Sequence, residues 1–406
     1  MTITASVSEK QRVVSGMRVT GRMHLGNYHG ALKNWLQLQN TYDCYFFAAD
    51  WHALTTNYDR SAGIAAQSLL MLEDWLAAGL DPNAAKIFIQ SGVPEHAELH
   101  LLLSMITPLA WLERVPTYKD QQEKLKDRDL STYGFLGYPL LQSADILVYK
   151  PKFVPVGEDQ VSHVELTREV ARRFNYVFGH DQDFQQRAEA AVAKLGKQHA
   201  KSFVTLLKRY QEKGDVVALE EGRTLISAMA NNLSMSDRER LEGYIEGRGK
   251  IILPEPEVLL TKESKFPGLD GQKMSKSYNN TIALTEDPVS VTAKIKRMPT
   301  DPARAKRTDP GEPEKCPVWN LHKVYSSEEV KSWVVKGCRT AGIGCLECKA
   351  PLIDSILAEQ KPIIERAKHF ASQPKLVQSI LAESTEQARH TAKVTLTEVR
   401  EAMGIA

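Results

Sequence analysis

The first 90 residues alternate between short apolar runs and segments with helical spacing, and this alternation restricts the fold more than any other feature. Apolar runs at 12–15, 44–49 and 87–90 are typical of buried strands. Between them, 28–38 and 62–76 carry apolar residues at helical spacing. Strands that alternate with helices predict an α/β fold with a doubly wound parallel sheet.

The rest of the chain predicts three parts, as expected for 406 residues. Residues 1–180 and 251–285 form a Rossmann-like domain. Residues 181–250 read as a helical insertion, whose 12 basic and 11 acidic residues give no bias toward phosphate. Residues 286–406 form a helical C-terminal domain, apart from a stretch rich in proline and cysteine at 299–351.

Charge and hydropathy exclude some classes of protein. The net charge of +2 neither requires nor excludes a nucleic acid partner, although six basic residues lie between Lys294 and Arg307 against one acidic residue. That stretch is either a phosphate-contacting patch or a solvated helix face. No apolar run is long enough to span a membrane and the N-terminus lacks a secretory signal, so we expect a cytoplasmic protein.

A glycine-containing turn from Thr20 to Asn27 follows the first predicted strand and opens the first helix. A doubly wound fold binds phosphates at this position, because glycine lets the backbone approach and the helix N-terminus faces the anion. His24 and Asn27 would add side-chain donors. An incidental histidine in a glycine-rich turn is the alternative.

The second motif, Gly268 to Ser277, reads GLDGQKMSKS and places two lysines in a predicted loop. Two ammonium groups on a mobile loop are able to follow the charge of a departing pyrophosphate. A solvated loop is the alternative, but the KMSKS string is rare by chance and follows the histidine–glycine motif in the expected order.

HLGN followed by KMSKS resembles the paired signatures of class I aminoacyl-tRNA synthetases. The surrounding segments YPLLQSADILVYK and PVGEDQVSHVELTRE are similar to those of bacterial tryptophanyl-tRNA synthetases, and the resemblance covers nearly the whole chain except 181–250. Tyrosyl-tRNA synthetases are the first alternative, although the segment Gly157 to Gln160 differs from theirs. The second alternative is a non-catalytic paralogue that binds nucleic acid or senses redox state.

The resemblance implies a role for each matching position. His24, Asn27, Lys273 and Lys276 are the catalytic residues. The implied ATP-binding residues are Arg18, Val19, Thr20, Gly26, Asn27, Gly157, Glu158, Asp159, Lys273, Met274, Ser275, Lys276 and Ser277. The implied tryptophan-binding residues are Asp145, which accepts the indole N–H, together with Tyr138, Gln142 and Gln160. Val19 replaces a common proline and Gln142 replaces methionine of some members, so the loop and the indole pocket depart from the family pattern there.

The implied reaction needs no general base, because the tryptophan carboxylate is already ionised at neutral pH. It attacks the α-phosphate of ATP, with Mg²⁺ sharing the phosphate charge, and the acyl group then moves to tRNA(Trp). The family is usually a homodimer, and the apolar helix expected from Leu99 to Leu112 is a candidate interface. The role of the insertion is not indicated.

Four of the five cysteines lie close together, in the pattern Cys316-x21-Cys338-x6-Cys345-x2-Cys348. Four thiolates suit a tetrahedral metal ion or a cubane cluster, and free thiols are a third alternative. The pattern is similar to that of a subset of tryptophanyl-tRNA synthetases with a [4Fe–4S] cluster, and zinc is the weaker alternative. Because the cysteines follow KMSKS in the chain, we expect them to affect tRNA rather than adenylation.

Overall fold

The computed structural model describes residues 10–115, 131–179, 183–247, 251–260 and 266–406. Its centre is a five-stranded sheet in the order β3-β2-β1-β4-β5, and all neighbouring strands are parallel. The strands are β1 (Arg12–Arg18), β2 (Asp43–Ala49), β3 (Ala85–Ile89), β4 (Phe153–Val156) and β5 (Glu257–Leu260). The predicted α/β class with a doubly wound parallel sheet is confirmed.

Helices cover both faces of the sheet. In the first half of the chain they are α1 (Leu25–Asn27), α2 (Lys33–Thr41), α3 (Asp50–Asn57), α4 (Ile64–Ala78), α5 (Glu95–Ser104), α6 (Leu109–Glu113), α7 (Tyr133–Leu147) and α8 (Val161–Phe178). After these come α9 (Phe184–Lys194), α10 (Lys197–Lys213), α11 (Val216–Ala228), α12 (Met235–Ile245), α13 (Pro288–Arg297), α14 (Pro317–Tyr325), α15 (Glu328–Arg339), α16 (Cys345–Ala371) and α17 (Pro374–Met403).

Strand β2 shows why its sequence is apolar throughout. Cys44 and Phe46 point into one core, which contains Trp35 and Trp75, whereas Tyr45 and Phe47 point into the other. A parallel strand that is buried on both faces needs apolar side chains at every position. The helices α16 and α17 contribute Leu352, Ile356, Ala392 and Leu396 to the same two cores. The C-terminal part therefore packs directly on the sheet, and its boundary at residue 286 stays a prediction.

The predicted helix at 28–38 differs from the observed one. A π-helical turn at Tyr28–Leu32 separates α1 from α2. The start of the helix is fixed by His24, and α2 is fixed by Trp35, which stacks on Phe46 with ring centroids 4.4 Å apart. A π turn accommodates one extra residue between two such constraints.

Two further expectations need correction. The apolar helix expected from Leu99 to Leu112 is two helices, because α5 ends at Ser104 and α6 begins after Pro108. The proline- and cysteine-rich stretch 299–351 contains α14 and α15 and the beginning of α16. Pro317 does not prevent α14, since proline at the first helical position lacks only an N–H that has no partner there.

The insertion is a helical bundle, α9 to α12, with a core of its own that includes Phe203, Ile226 and Leu241. Asn175 on α8 joins the two places where the chain leaves and returns. Its side-chain amide donates to the carbonyl of Leu253 at 2.7 Å, and its oxygen accepts from the N–H groups of Ile252 and Leu253. Across the described ranges no helix is long and apolar enough to cross a membrane. The cytoplasmic location stays a prediction.

Candidate active site

A cavity of about 360 Å³ opens at the carboxyl ends of β1, β2 and β4. Strand β1 is central, with β2 on one side and β4 on the other, so successive connections leave it in opposite directions. Doubly wound folds bind ligands at this switch point, because the loops separate there. The cavity wall includes the predicted residues Arg18, Tyr138, Gln142, Asp145, Gly157 and Gln160.

The first motif forms a capped helix start. His24 accepts from the N–H of Asn27 at Nδ1 (3.2 Å), and the Asn27 side chain accepts from the N–H of His24 at 3.1 Å. The two side chains therefore bond to each other's backbone, a reciprocal arrangement that fixes the turn. Burial, and then the charge of Lys276, lower the pKa of His24 to about 4. The imidazole is neutral at pH 7.

A buried carboxylate anchors the loop before this helix. Asp74 on α4 accepts from the N–H of Met23 and from the Arg22 guanidinium, both at 2.7 Å. Burial raises the pKa of Asp74, and the hydrogen bonds from Met23 and Arg22 offset this increase only in part. The loop is thus fixed from beneath by α4, and the glycine of the turn, Gly21, adopts a positive φ of 77°.

The second motif lies on a hairpin, residues 266–280, which we call the KMSKS hairpin. Its base is closed by antiparallel pairing of Pro267 with Lys273. Met274 is buried, and its sulfur accepts from the N–H of Gly26 at 3.2 Å. Just beyond the hairpin, Leu25 donates to the carbonyl of Ile282 at 3.0 Å. The two motifs, distant in sequence, therefore form one continuous surface.

The lysines of the hairpin differ in their surroundings. The Lys276 ammonium donates to the carbonyl of Thr20, within the first motif, and burial lowers its pKa. Lys273 lies at the paired base of the hairpin. Ser275 and Ser277 share a hydrogen bond between their hydroxyls at 2.9 Å. Lys276 is thus held against the loop of the first motif.

Asp145 lies on α7 and is 1% exposed. Its Oδ1 accepts from the Gln90 amide at 2.8 Å and from His96 Nδ1 at 2.6 Å, and its Oδ2 accepts from His52 Nε2 at 2.8 Å. Burial raises the pKa of Asp145, but the hydrogen bonds from His52 and His96 outweigh it and hold the pKa well below its usual value. The cavity therefore contains a buried, ionised carboxylate.

The donors to Asp145 were not among the predicted site residues. Gln90 and His96 follow β3, and His52 follows β2, so they come from three positions with no shared motif. One signal does exist in the sequence. Polar residues directly after parallel strands converge at the same edge of the sheet. His163, whose pKa is lowered to about 4 by burial and then by His52, also lines the cavity and was also missed.

Four of the predicted residues, Val19, Thr20, Glu158 and Asp159, do not line the larger cavity. Val19 and Thr20 line a smaller cavity of about 290 Å³, which shares Arg18 with the larger one. Glu158 and Asp159 are exposed on a 3₁₀ turn after β4 and do not line the larger cavity. Tyr138 lies inside it, with its ring 6.4 Å from His52.

Four cysteines influence one another's pKa. Cys316 directly precedes α14, Cys338 lies in α15, and Cys345 and Cys348 lie at the beginning of α16. Burial, followed by Cys316, Cys338 and Cys345, raises the pKa of the Cys348 thiol to about 12. His322 Nε2 lies 3.5 Å from Cys348 Sγ. All four are free cysteines. No group of three or more histidine, cysteine or acidic side chains in the described ranges has an arrangement that would hold a metal ion.

Chain order does not separate these cysteines from the KMSKS hairpin. Gly271, at the tip of the hairpin, lies against Pro317, the residue after Cys316. A Cβ atom on Gly271 would come within 3.1 Å of the Pro317 ring, and its φ of 86° independently favours glycine. The expectation that the cysteines affect tRNA rather than adenylation was drawn from chain order alone, and it stays a prediction.

Comparison with known proteins identifies the family of this chain. The chain matches the family model of tRNA synthetases class I (W and Y) over residues 6–212 and 220–359. It therefore belongs to the class I synthetases for tryptophan and tyrosine. Within that class it is 62% identical to a "Tryptophan--tRNA ligase" from Ralstonia nicotianae, over 97% of this chain and 98% of that protein. The chain belongs to the tryptophan–tRNA ligase family.

Two more distant proteins agree. A "Tryptophan--tRNA ligase" from Thermotoga maritima is 42% identical over 97% of this chain and 99% of that protein. A crystal structure of the tryptophanyl-tRNA synthetase from Campylobacter jejuni, complexed with ADP and tryptophan, superposes with a TM-score of 0.70. It shares 26% identity and covers 97% of this chain and 99% of the other.

Proposed function

We propose that the cavity beside the paired motifs is the site where this tryptophan–tRNA ligase activates L-tryptophan with ATP. The observation that carries the proposal is the buried, ionised Asp145 in a cavity next to the joined HLGN and KMSKS segments. A carboxylate held in this state is an acceptor that a substrate N–H satisfies.

Counting hydrogen bonds shows how Asp145 would read the indole ring. An ionised carboxylate offers about four acceptor positions. Gln90 and His96 occupy two on Oδ1 and His52 occupies one on Oδ2. One position on Oδ2 remains, on the side of His52, which lines the cavity. We place the indole N–H there, with Gln142 beside the ring and Tyr138 and Gln160 near the substrate amino group.

The same arrangement opposes the other aromatic amino acids. Phenylalanine carries no donor and would leave a position of the buried Asp145 carboxylate unpaired, which costs binding energy. The tyrosine alternative is not favoured, and neither is a non-catalytic paralogue, because the two motifs are joined by hydrogen bonds that a retired site has no physical need to keep.

ATP would lie along the first motif and the KMSKS hairpin. We assign the ribose to Gly157, Glu158 and Asp159 and the triphosphate to His24 and residues Lys273 to Ser277. Further contacts to ATP are assigned to Arg18, Val19, Thr20, Gly26 and Asn27. A tryptophan carboxylate oxygen forms a bond to the α-phosphorus, and the bond from that phosphorus to the bridging oxygen of pyrophosphate breaks. Mg²⁺, when bound, shares the charge of the triphosphate.

Lys276 supplies charge as the reaction proceeds. Its ammonium is bonded to a neutral carbonyl, Thr20, before ATP binds. Exchanging that partner for the leaving pyrophosphate makes an interaction that strengthens in the transition state, and such interactions raise kcat. The adenylate is then attacked by a hydroxyl of the terminal ribose of tRNA(Trp), and AMP leaves.

Contact with tRNA would involve the C-terminal part, residues 286–406. The basic stretch from Lys294 to Arg307 is partly used internally, since Lys294 pairs with Glu286, Arg304 bonds to the carbonyl of Ile343, and Arg307 pairs with Glu347. Lys296, Arg297 and Lys306 are exposed. These exposed side chains are the phosphate contacts that we propose.

The four cysteines would hold a [4Fe–4S] cluster, with zinc as the weaker alternative. The side chains of the described residues, these four thiols included, are not arranged as a metal site, but two features of their surroundings support the proposal. Burial raises the pKa of Cys348, and each of the other three cysteines raises it further through its charge. The Arg304 guanidinium lies 3.8 Å from Cys338 Sγ. Burial lowers the pKa of Lys349, and the charges of Cys345, Cys316 and Cys348 partly offset this effect. Nearby cations offset the negative charge that four thiolates bring.

A homodimer is the proposed assembly. Leu101 on α5, Met105 directly after it and Leu109 at the first position of α6 are 54%, 67% and 63% exposed. Three neighbouring exposed apolar side chains are typical of a surface that another protein covers.

Amino-acid-dependent exchange between ATP and pyrophosphate tests the proposed function. With each amino acid supplied in turn, tryptophan should support exchange and tyrosine and phenylalanine should barely do so. A higher rate with tyrosine would contradict the assignment.

A further inference from the structure

His29 forms a buried polar cluster behind the catalytic surface, and the proposed reaction does not use it directly. It lies in the π turn, two residues after Asn27, and its ring is 4% exposed. Its Nε2 lies 2.9 Å from Glu359 Oε2 and 2.9 Å from the Tyr325 hydroxyl. Tyr325 also donates to Glu359 at 2.9 Å. The two partners belong to α14 and α16.

The other side of the ring faces the KMSKS hairpin. His29 stacks on Phe266 with ring centroids 4.6 Å apart and an angle of 14° between the planes. Phe266 is the first residue of the hairpin, and its carbonyl accepts from the N–H of Met274 at 2.9 Å. Met274 in turn contacts Gly26 through its sulfur. A displacement of Phe266 therefore reaches the residues beside Lys273 and Lys276.

Charge holds the cluster in one orientation. Burial raises the pKa of Glu359, but hydrogen bonds from His29 and Tyr325 and the charge of Lys33 outweigh it, so its pKa is lowered. An ionised carboxylate with fixed donors fixes the plane of the imidazole, whereas an apolar residue would fill the space without fixing an angle.

We propose that His29 is a positioning residue, through which Glu359 and Tyr325 of the C-terminal helices set the orientation of the KMSKS hairpin. This inference rests on the proposed function, because the hairpin matters only if it carries the ATP-contacting lysines. The contact between Gly271 and Pro317 supports it independently, since α14 touches the hairpin at its tip as well as behind its base.

The test compares Glu359→Gln and His29→Phe with wild type. Both variants keep the shape of the side chain and remove the charge or the hydrogen bond. We expect kcat of tryptophan-dependent exchange to fall roughly 10-fold, as for a small misplacement of a catalytic group. The KM for tryptophan should stay within about 2-fold, because His29, Tyr325 and Glu359 do not line the cavity, which meets their turn only at Gly30 and Ala31. Asp354→Asn, on the exposed face of α16, is the matched control and should behave as wild type.

Two readouts separate positioning from general damage. Amide hydrogen exchange should accelerate in residues 272–278 of both variants and stay unchanged in β1 to β3. In a Lys276→Ala background, Glu359→Gln should cost less than about 2-fold more, because residues that act through one another are not additive. Equal losses in both backgrounds, or unchanged hairpin exchange, would overturn the proposal.

Failure of the proposed function would look different. Wild-type protein would then show no amino-acid-dependent exchange, while the amide measurement would still report whether the cluster positions the hairpin.

Discussion

His96 Nδ1 donates to Asp145 Oδ1 across 2.6 Å, and the Tyr149 hydroxyl lies 2.7 Å from the other ring nitrogen. The carboxylate fixes the tautomer of the ring, because an acceptor-only group requires the proton on Nδ1. The Tyr149 hydroxyl thus fixes the opposite edge of the same ring. Asp145 is thereby kept ionised by a ring that is itself fully buried.

Replacing Asp145 by Ala should lower kcat/KM for tryptophan, because a charged hydrogen bond to the indole N–H is lost. The loss of transition-state stabilisation should be about 2–3 kcal/mol. The measurement is pyrophosphate exchange with tryptophan and with its benzothiophene analogue, which lacks the N–H. The analogue is the control, and the substitution should hardly affect it. Equal losses with both substrates would mean that Asp145 supports the pocket but does not contact the indole nitrogen.

Lys276→Ala should lower kcat of adenylation by roughly 10²- to 10³-fold, the range for one preorganised charge at a developing anion. The KM for tryptophan should change little. Single-turnover formation of the adenylate measures this directly. Lys197→Ala, on an exposed position of the insertion, is the matched control. An unchanged kcat would show that the hairpin binds ATP without stabilising the transition state.

His24 predicts a pH dependence of stability. Its pKa falls from 6.5 to about 4 on folding, through burial and then Lys276. Between these values the unfolded chain binds more protons than the folded one, so stability decreases as the pH is lowered. The contribution is fully present above pH 6.5 and lost as the pH approaches 4.

His24→Gln should therefore flatten the curve of unfolding free energy against pH within that window. Denaturant unfolding at a series of pH values measures it, with the exposed His199→Gln as the control. The same slope in His24→Gln as in wild type would contradict the lowered pKa.

Protein purified without oxygen should contain about four irons per chain and absorb broadly in the visible range, as four-thiolate ligation of a cubane cluster requires. Cys345→Ser should reduce the iron content and impair tRNA charging. Cys44→Ala is the control and should leave iron unchanged, because Cys44 is buried in β2, whereas the other four cysteines lie at α14, α15 and α16. One zinc and no iron would favour the zinc alternative, and neither metal would leave the cysteines as free thiols.

Deleting residues 181–250 and joining the ends with a short glycine–serine linker should leave adenylation nearly unchanged. The bundle has its own core, and Asn175 already brings its two ends together. Pyrophosphate exchange and thermal unfolding of the deleted protein are the measurements. A deletion that folds but does not support exchange would show that the bundle contributes to the site.

Much of this architecture is predictable from local pattern. The strands β1 to β3 are recognisable as apolar runs in the sequence, because burial on both faces favours apolar side chains. Each of the two motifs is recognisable because it occupies a contiguous stretch of chain. The network around Asp145 is different, since its donors follow separate strands and meet only after the sheet has formed. The contact of Gly271 with Pro317 and the stack of His29 on Phe266 are likewise products of tertiary packing, for which no periodicity gives a signal.

The π turn at Tyr28–Leu32 has an evolutionary consequence. Such a turn is equivalent to one residue inserted into an α-helix. Without it, everything after the turn would rotate by about 100° relative to everything before it, because an α-helix has 3.6 residues per turn. Trp35 would then leave its partner Phe46 in the sheet, or His24 would leave its place beside Met274 and Ile282. We therefore expect natural selection to remove mutations that delete or insert a single codon here, whatever amino acid that codon encodes.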